Sequence, residues 1–377
     1  MKIAIMAPLV TAIREPQRGG SQAFVSDLAR GLTGRGHEVH VYAASGSEIP
    51  GVEVIDTGVD PESLASTLYR AFGDSGPAGS GPAGSRPAGP EPSAAESAFA
   101  RAYRGVQEIP YDVIHNHAFD APAIRLAAAL QAPVVHTLHL PPDKAVAAAL
   151  RHAARGGRPP AVAAVSVFQA SAWRRIIRVD AILPPYVPTH VIPWSREAGE
   201  GAIFAGRLSP EKGAAEAIDI ARAAGVPIDV YGDAYDAGYS RDQIGPRRAW
   251  PGVTVHEAVP RASLWAAMAH AAVVLFPARW AEPFGMAAAE AQACGTPVVA
   301  FRCGALGEVI ADGVTGFLVP PDDIAAAAEA VGRTARISRS DCRDHAEGHL
   351  NLEQSLDAHE RLYRHVVSPV AGVADHG

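Results

Sequence analysis

The chain has 377 residues, 48% of them hydrophobic, which is too much for one compact core and suits two domains of ordinary size. Its 33 Lys and Arg stand against 40 Asp and Glu, a formal net charge of −7, so no global positive field exists to hold nucleic acid or an anionic membrane surface. Three cysteines outside CxxC spacing (Cys294, Cys303, Cys342) and no apolar run near the roughly 18 residues needed to cross a bilayer predict a cytoplasmic protein without stable membrane insertion.

The start, MKIAIMAPLV, lacks the long apolar centre and small-residue cleavage site of a signal peptide and reads as a first strand. From Lys2 onward, β-branched runs alternate with Ala- and Leu-rich segments: KIAIMA, AFVSDLARGL, EVHVYAA, YDVIHNH, PAIRLAAAL, APVVHTL and AVAAVSV. This alternation predicts βα units on a parallel sheet. In the first helix Phe24, Leu28 and Leu32 form one apolar stripe, and the glycines of GRGHEV stop it.

Residues 73–97 are of low complexity, an SGPAG-like repeat with no apolar side chain larger than Ala or Pro, and predict a flexible insertion or a cover over a site. From Leu183 to Gly201 proline and glycine accumulate, and a fresh strand-helix series follows: AIFAGRL, VPIDVYG, GVTVHEA, AAVVLFP, TPVVAF and GFLVP. The expected organisation is an α/β chain of two Rossmann-like domains facing across a cleft, residues 1–190 and 191–350. Residues 351–377 carry a last helix with Leu352, Leu356, Leu362 and Tyr363 on one period.

Two segments of the second half carry chemistry. In IFAGRLSPEKG, residues 203–213, a strand is expected to end at Arg207, with Ser209 capping a helix that begins at Pro210. Arg207 and Lys212 then add charge to a helix N-terminus, which suits a diphosphate. Ordinary capping beside two solvated cations is the bland alternative. In EPFGMAAAEAQACGTPVVAF, residues 282–301, a Pro-Phe-Gly turn leads into a helix that Gly295 ends. Glu282 and Glu290 are placed to approach its N-terminal end, where carboxylates accept paired hydrogen bonds from sugar hydroxyls. Each is equally readable as a helix or loop acid without a ligand.

His115 and His117 are expected to close one strand and His136 and His139 another, at the strand ends where open α/β sheets bind ligands. Sugar or acceptor contacts explain this group without a metal, and satisfied core histidines are the competing reading for His115 and His136. No D-x-D triplet, P-loop, G-x-S-x-G elbow or G-x-G-x-x-G opening a βαβ unit occurs, which leaves metal-diphosphate, hydrolase and nicotinamide chemistry without support.

GRLSPEKG followed by EPFGMAAAEAQACGTPVV, with GGSQAFVSDLARGLTGRGHEV, VVHTLH, VIPW and ASLWAAMAHAAVVLFPA, resembles glycosyltransferase family 4, retaining enzymes of GT-B fold, over nearly the whole chain. The resemblance implies that Arg207 and Lys212 bind a donor diphosphate and Glu290 the ribose. It further implies that Glu282 with the backbone of Phe284, Gly285 and Met286 holds the transferred sugar. Gly19 and Gly20 match glycines bordering the phosphate and the acceptor, and His139 matches a histidine near the reacting carbon. Trp194-Ser195 replaces the usual Asn-Gly of the linker. The partner implied is a nucleoside-diphosphate sugar, UDP favoured. The low net charge favours a small hydroxyl acceptor such as a natural product or sugar, the strand-end position of His115 and His117 puts them on the acceptor side, and without a D-x-D triplet no metal or other cofactor is expected. A sugar-nucleotide epimerase and an inert sugar-nucleotide binder remain as alternatives.

Overall fold

The structure is a computed structural model and describes residues 1–61 and 93–368. Most of the expected insertion, residues 73–92, and the tail 369–377 lie outside the described residues.

The first domain carries β1 (Lys2–Met6), α1 (Gly20–Gly34), β2 (Glu38–Ala43), β3 (Glu53–Asp56), α2 (Ala94–Gln107), β4 (Val113–Asn116), α3 (Ala121–Ala127), β5 (Val134–Leu138), α4 (Lys144–Ala153), β6 (Ala161–Ala164), α5 (Val167–Arg174) and β7 (Ala181–Ile182). The second carries β8 (Ala202–Ala205), α6 (Ala214–Ala224), β9 (Ile228–Tyr231), β10 (Val253–His256), α7 (Arg261–His270), β11 (Val273–Phe276), α8 (Met286–Ala293), β12 (Val298–Phe301), α9 (Leu306–Val309), β13 (Gly316–Val319), α10 (Ile324–Arg333) and α11 (Arg339–His349). The last helix, α12 (Leu352–Val367), follows.

Seven strands pair in the order β3-β2-β1-β4-β5-β6-β7 and six in the order β10-β9-β8-β11-β12-β13, every pairing parallel. Sheets covered by helices on both faces need strands apolar throughout, and VVLF of β11 and VVAF of β12 are buried at every position. This is the GT-B arrangement of two Rossmann-like domains. Strand order reverses between β1 and β4 and again between β8 and β11, and ligands of open α/β sheets bind beyond the strand ends at such points.

Phe24, Leu28 and Leu32 of α1 are fully buried, and Gly36, with φ +85°, follows the helix end. Leu352, Leu356, Leu362 and Tyr363 of α12 pack into this first-domain core against α1. A Cβ on Gly31 would lie 2.7 Å from Leu356 Cδ1, so the two helices approach through a glycine.

Three expectations need correction. Helix α2 begins at Ala94, where Ser93 accepts from the Glu96 amide, so residues 94–97 belong to α2 and not to the flexible insertion expected over 73–97. Strand β8 ends at Ala205 and α6 starts at Ala214, so Pro210 opens a turn and not a helix. Gly213 at φ +76° precedes α6, and a Cβ there would meet the Pro277 carbonyl at 2.1 Å, a close approach only glycine permits.

Candidate active site

The turn between β8 and α6 is held by its own side chains. The Glu211 carboxylate accepts from Ser209 Oγ at 2.7 Å and from Arg207 Nη2 at 3.2 Å, and the Arg207 guanidinium lies over the Tyr235 ring at 4.6 Å. Because Gly213 lets the turn touch the end of β11, Lys212 reaches the loop beyond that strand. Its Nζ donates to Glu282 Oε2 at 2.8 Å, and Trp280 Nε1 donates to the same oxygen at 2.7 Å. Both cations therefore sit on carboxylates, so the bland alternative of two solvated cations does not describe them.

Glu282 is buried, and its backbone is clamped by Gly304. Gly304 has φ +57°, and a Cβ on it would lie 2.2 Å from the Glu282 carbonyl oxygen and 2.4 Å from its nitrogen. Three residues on, Gly285 at φ +103° starts α8 without a side-chain cap, leaving first-turn N–H groups and the positive helix end available to a ligand.

α1 also starts on a glycine, Gly19, with no side-chain cap. A Cβ on Gly20 would lie 3.3 Å from Met286 Sδ, so the uncapped starts of α1 and α8, one from each domain, adjoin. Further contacts among the described residues cross between the domains. The Glu308 carboxylate accepts from the Val167 and Phe168 amides at 2.8 and 2.6 Å, capping α5. Arg261 binds Asp27, the Arg261 amide donates to Glu15 Oε2 at 3.0 Å, and Arg18 lies 3.7 Å from Asp233.

Glu290 lies on α8, buried, with Oε1 accepting from Arg261 Nε at 3.1 Å and Nη2 at 2.7 Å. Burial opposes the Arg261 charge, yet Glu290 and Asp27 together hold its pKa above the ordinary arginine range.

At the ends of β4 and β5, His117 Nδ1 and His139 Nε2 are 2.9 Å apart, over the Phe24 ring of α1 and beside Phe119. His139 is half-buried, and burial with the nearby His359 pushes it down to about 3, so it is a neutral imidazole at neutral pH. His117, also expected on the acceptor side, is 0% exposed and so is corrected to a buried partner of His139; burial and His115 drive it well below the ordinary histidine range.

His115 is corrected from an acceptor-side residue to a core residue. It is 0% exposed, with Nδ1 2.6 Å from the Tyr363 hydroxyl and Nε2 2.7 Å from Thr137 Oγ1. His136 lies inside β5 rather than at its end, with Nδ1 on Asn116 Nδ2 at 2.9 Å. Both face packed neighbours because strand periodicity turns them into the layers on either side of the sheet. Sequence reading named neither Arg261 and Asp27 nor Gly304 and Glu308, whose importance comes from contacts between distant segments.

The family model described as Glycosyltransferase Family 4 matches residues 18–193, and that described as Glycosyl transferases group 1 matches residues 195–344. A D-inositol 3-phosphate glycosyltransferase of Frankia alni is 28% identical over 94% of this chain and 96% of its own length. One from Acidothermus cellulolyticus is 27% identical over 88% of this chain and 82% of that protein. A match to a protein of the same name from Saccharomonospora viridis is 40% identical but spans 25% of this chain and 23% of that protein. Among solved structures, sucrose-phosphate synthase from Thermosynechococcus elongatus superposes with a TM-score of 0.76 at 19% identity, over 97% of this chain and 98% of that one. Anabaena HepE, solved with UDP and glucose, gives 0.71 at 20% identity, over 97% and 100%. With its two halves matched by adjoining family models, over residues 18–193 and 195–344, the chain belongs to glycosyltransferase family 4.

Proposed function

We propose that this glycosyltransferase moves a sugar from a nucleoside diphosphate, UDP first among the candidates, to a hydroxyl of a small acceptor such as a natural product or sugar. Transfer proceeds with retention at the anomeric carbon and without a metal ion. The observation that carries this reading is the Lys212–Glu282 pair, held between the β8 turn and the uncapped start of α8 at a switch point of the sheet.

The C1–O bond of the donor breaks as the acceptor oxygen attacks C1 from the same face, and the departing diphosphate takes the acceptor proton. Negative charge grows on that diphosphate. Lys212, Arg207 and the N–H groups at the starts of α8 and α1 are the groups suited to stabilise it, since fixed donors need no reorganisation during the reaction. Glu282 and the backbone of Phe284, Gly285 and Met286 receive the sugar hydroxyls, and Glu290 the ribose. Gly19 and Gly20 leave room for the phosphates and the acceptor. Neutral His139, its Nε2 engaged by His117, orients the sugar without titrating near neutral pH.

UDP enters as the first nucleotide to test because HepE was solved with it, and the relatives' name makes D-inositol 3-phosphate one small acceptor to include. The test is product analysis by NMR after incubation with nucleotide sugars and an acceptor panel in EDTA. A glycoside with the donor's anomeric configuration is expected. An inverted glycoside, or an epimerised sugar nucleotide formed without acceptor, overturns the reading.

A further inference from the structure

Arg261 is the first residue of α7 and 8% exposed, and its guanidinium serves two buried carboxylates from opposite domains. Nε and Nη2 both donate to Glu290 Oε1, at 3.1 and 2.7 Å, while Nη1 donates to Asp27 Oδ1 at 2.9 Å and Nη2 lies 2.9 Å from Asp27 Oδ2. The Trp265 ring packs against the guanidinium at 4.7 Å.

One cation between two buried anions adds little net stability, because the cost of taking three charges out of water offsets their attraction. What the cluster provides is geometry. A planar guanidinium has a fixed fork of donors, and both prongs that reach Glu290 use a single oxygen. Oε1 is thereby anchored and Oε2 keeps a fixed direction without a bond from Arg261. The same guanidinium holds Asp27, seven positions beyond Gly20 on the helix whose start adjoins Met286. We infer that Arg261 is a positioning residue that orients Glu290 Oε2 toward the donor ribose and, through Asp27, registers that carboxylate against α1 of the facing domain. The inference rests on the proposed ribose role of Glu290.

The test is calorimetric titration of the full chain with UDP and with 2′,3′-dideoxy-UDP, which lacks the ribose hydroxyls, for the native protein, Arg261→Lys, Asp27→Asn and Glu290→Gln. Arg261→Lys keeps a positive charge between the carboxylates but loses the fork. UDP affinity is expected to fall about tenfold, with dideoxy-UDP affinity held within about twofold. Asp27→Asn keeps Oδ1 as an acceptor and serves if Arg261→Lys does not fold. It is expected to weaken UDP about threefold and again to spare the dideoxy analogue. Equal losses for the two ligands, or an undiminished preference for UDP in the variants, overturn the inference. If the native protein prefers UDP and Glu290→Gln abolishes that preference while Arg261→Lys and Asp27→Asn retain it, only the role of Arg261 falls. If the native protein does not distinguish the two ligands, the ribose role of Glu290 falls and the inference with it.

Discussion

Lys212 Nζ and Glu282 Oε2 are 2.8 Å apart although 70 residues separate them in the chain, and the contact joins the turn after β8 to the loop after β11. Removing the ammonium leaves the buried Glu282 carboxylate with the Trp280 indole N–H as its partner. A charged hydrogen bond contributes about 1.5–3 kcal/mol, so Lys212→Ala is expected to lower kcat/KM for the donor about ten- to a hundredfold. Steady-state kinetics on a variant whose circular dichroism matches the native protein checks this, and native kinetics in Lys212→Ala would remove the pair from the mechanism.

Gly304 packs closely against the backbone of Glu282. Gly304→Ala would place a Cβ against the Glu282 backbone in a left-handed conformation that alanine adopts at a cost, so the loop bearing Glu282 must shift. The expected result is a loss of about 1–3 kcal/mol in unfolding free energy by denaturant titration, together with a fall in activity larger than that of Lys212→Ala. Native stability would show that the loop yields freely.

The Tyr363 hydroxyl of α12 reaches His115 inside the first domain. Tyr363→Phe leaves a buried imidazole nitrogen without its partner, and the expected cost is about 1–3 kcal/mol in global stability. Donor binding should be unchanged, since His115 is sealed from the cleft. A large loss of donor affinity at native stability would instead return His115 to the site.

The histidine cluster makes the fold acid-sensitive. Burial pushes His136 and His139 down to about 3 and His359 to about 4, with His115 and His117 also well below the ordinary range. Unfolded histidines titrate near 6.5, so below that pH the unfolded chain binds protons the folded chain refuses. Stability is full above about pH 6.5 and falls by about 1.4 kcal/mol per pH unit for each such histidine as the pH drops toward 4. Asp120, raised by burial to about 7, works in the opposite direction, and one carboxyl does not offset several imidazoles. Urea midpoints measured from pH 8 to pH 5 should decline steeply below pH 6.5, and a flat series would contradict the buried neutral cluster.

The sheets were legible because parallel strands covered on both faces are written as continuous β-branched runs, as in VVHTL and VVAF. β3 and β7 escaped that reading. The first is partly exposed at the sheet edge and the second is two residues long, so neither needs a strong apolar run. Ser209-Pro210 carries the local signature of a helix start, but Ser209 Oγ bonds Glu211, and the close pass of Gly213 under Pro277 delays the helix to Ala214. The residues proposed for the donor side were singled out through ordered motifs. Arg261, Asp27, Gly304 and Glu308 carry no local signal, because each matters through a partner far along the chain.

Calorimetric titration of the native protein and Lys212→Ala with UDP, GDP, ADP and dTDP in EDTA tests the central claim most directly. The expected result is that one nucleoside diphosphate binds the native protein without metal and binds Lys212→Ala about tenfold or more weakly. Binding that requires a divalent cation, or an affinity unmoved by Lys212→Ala, would contradict the assignment of the β8 turn and the start of α8 as the diphosphate site.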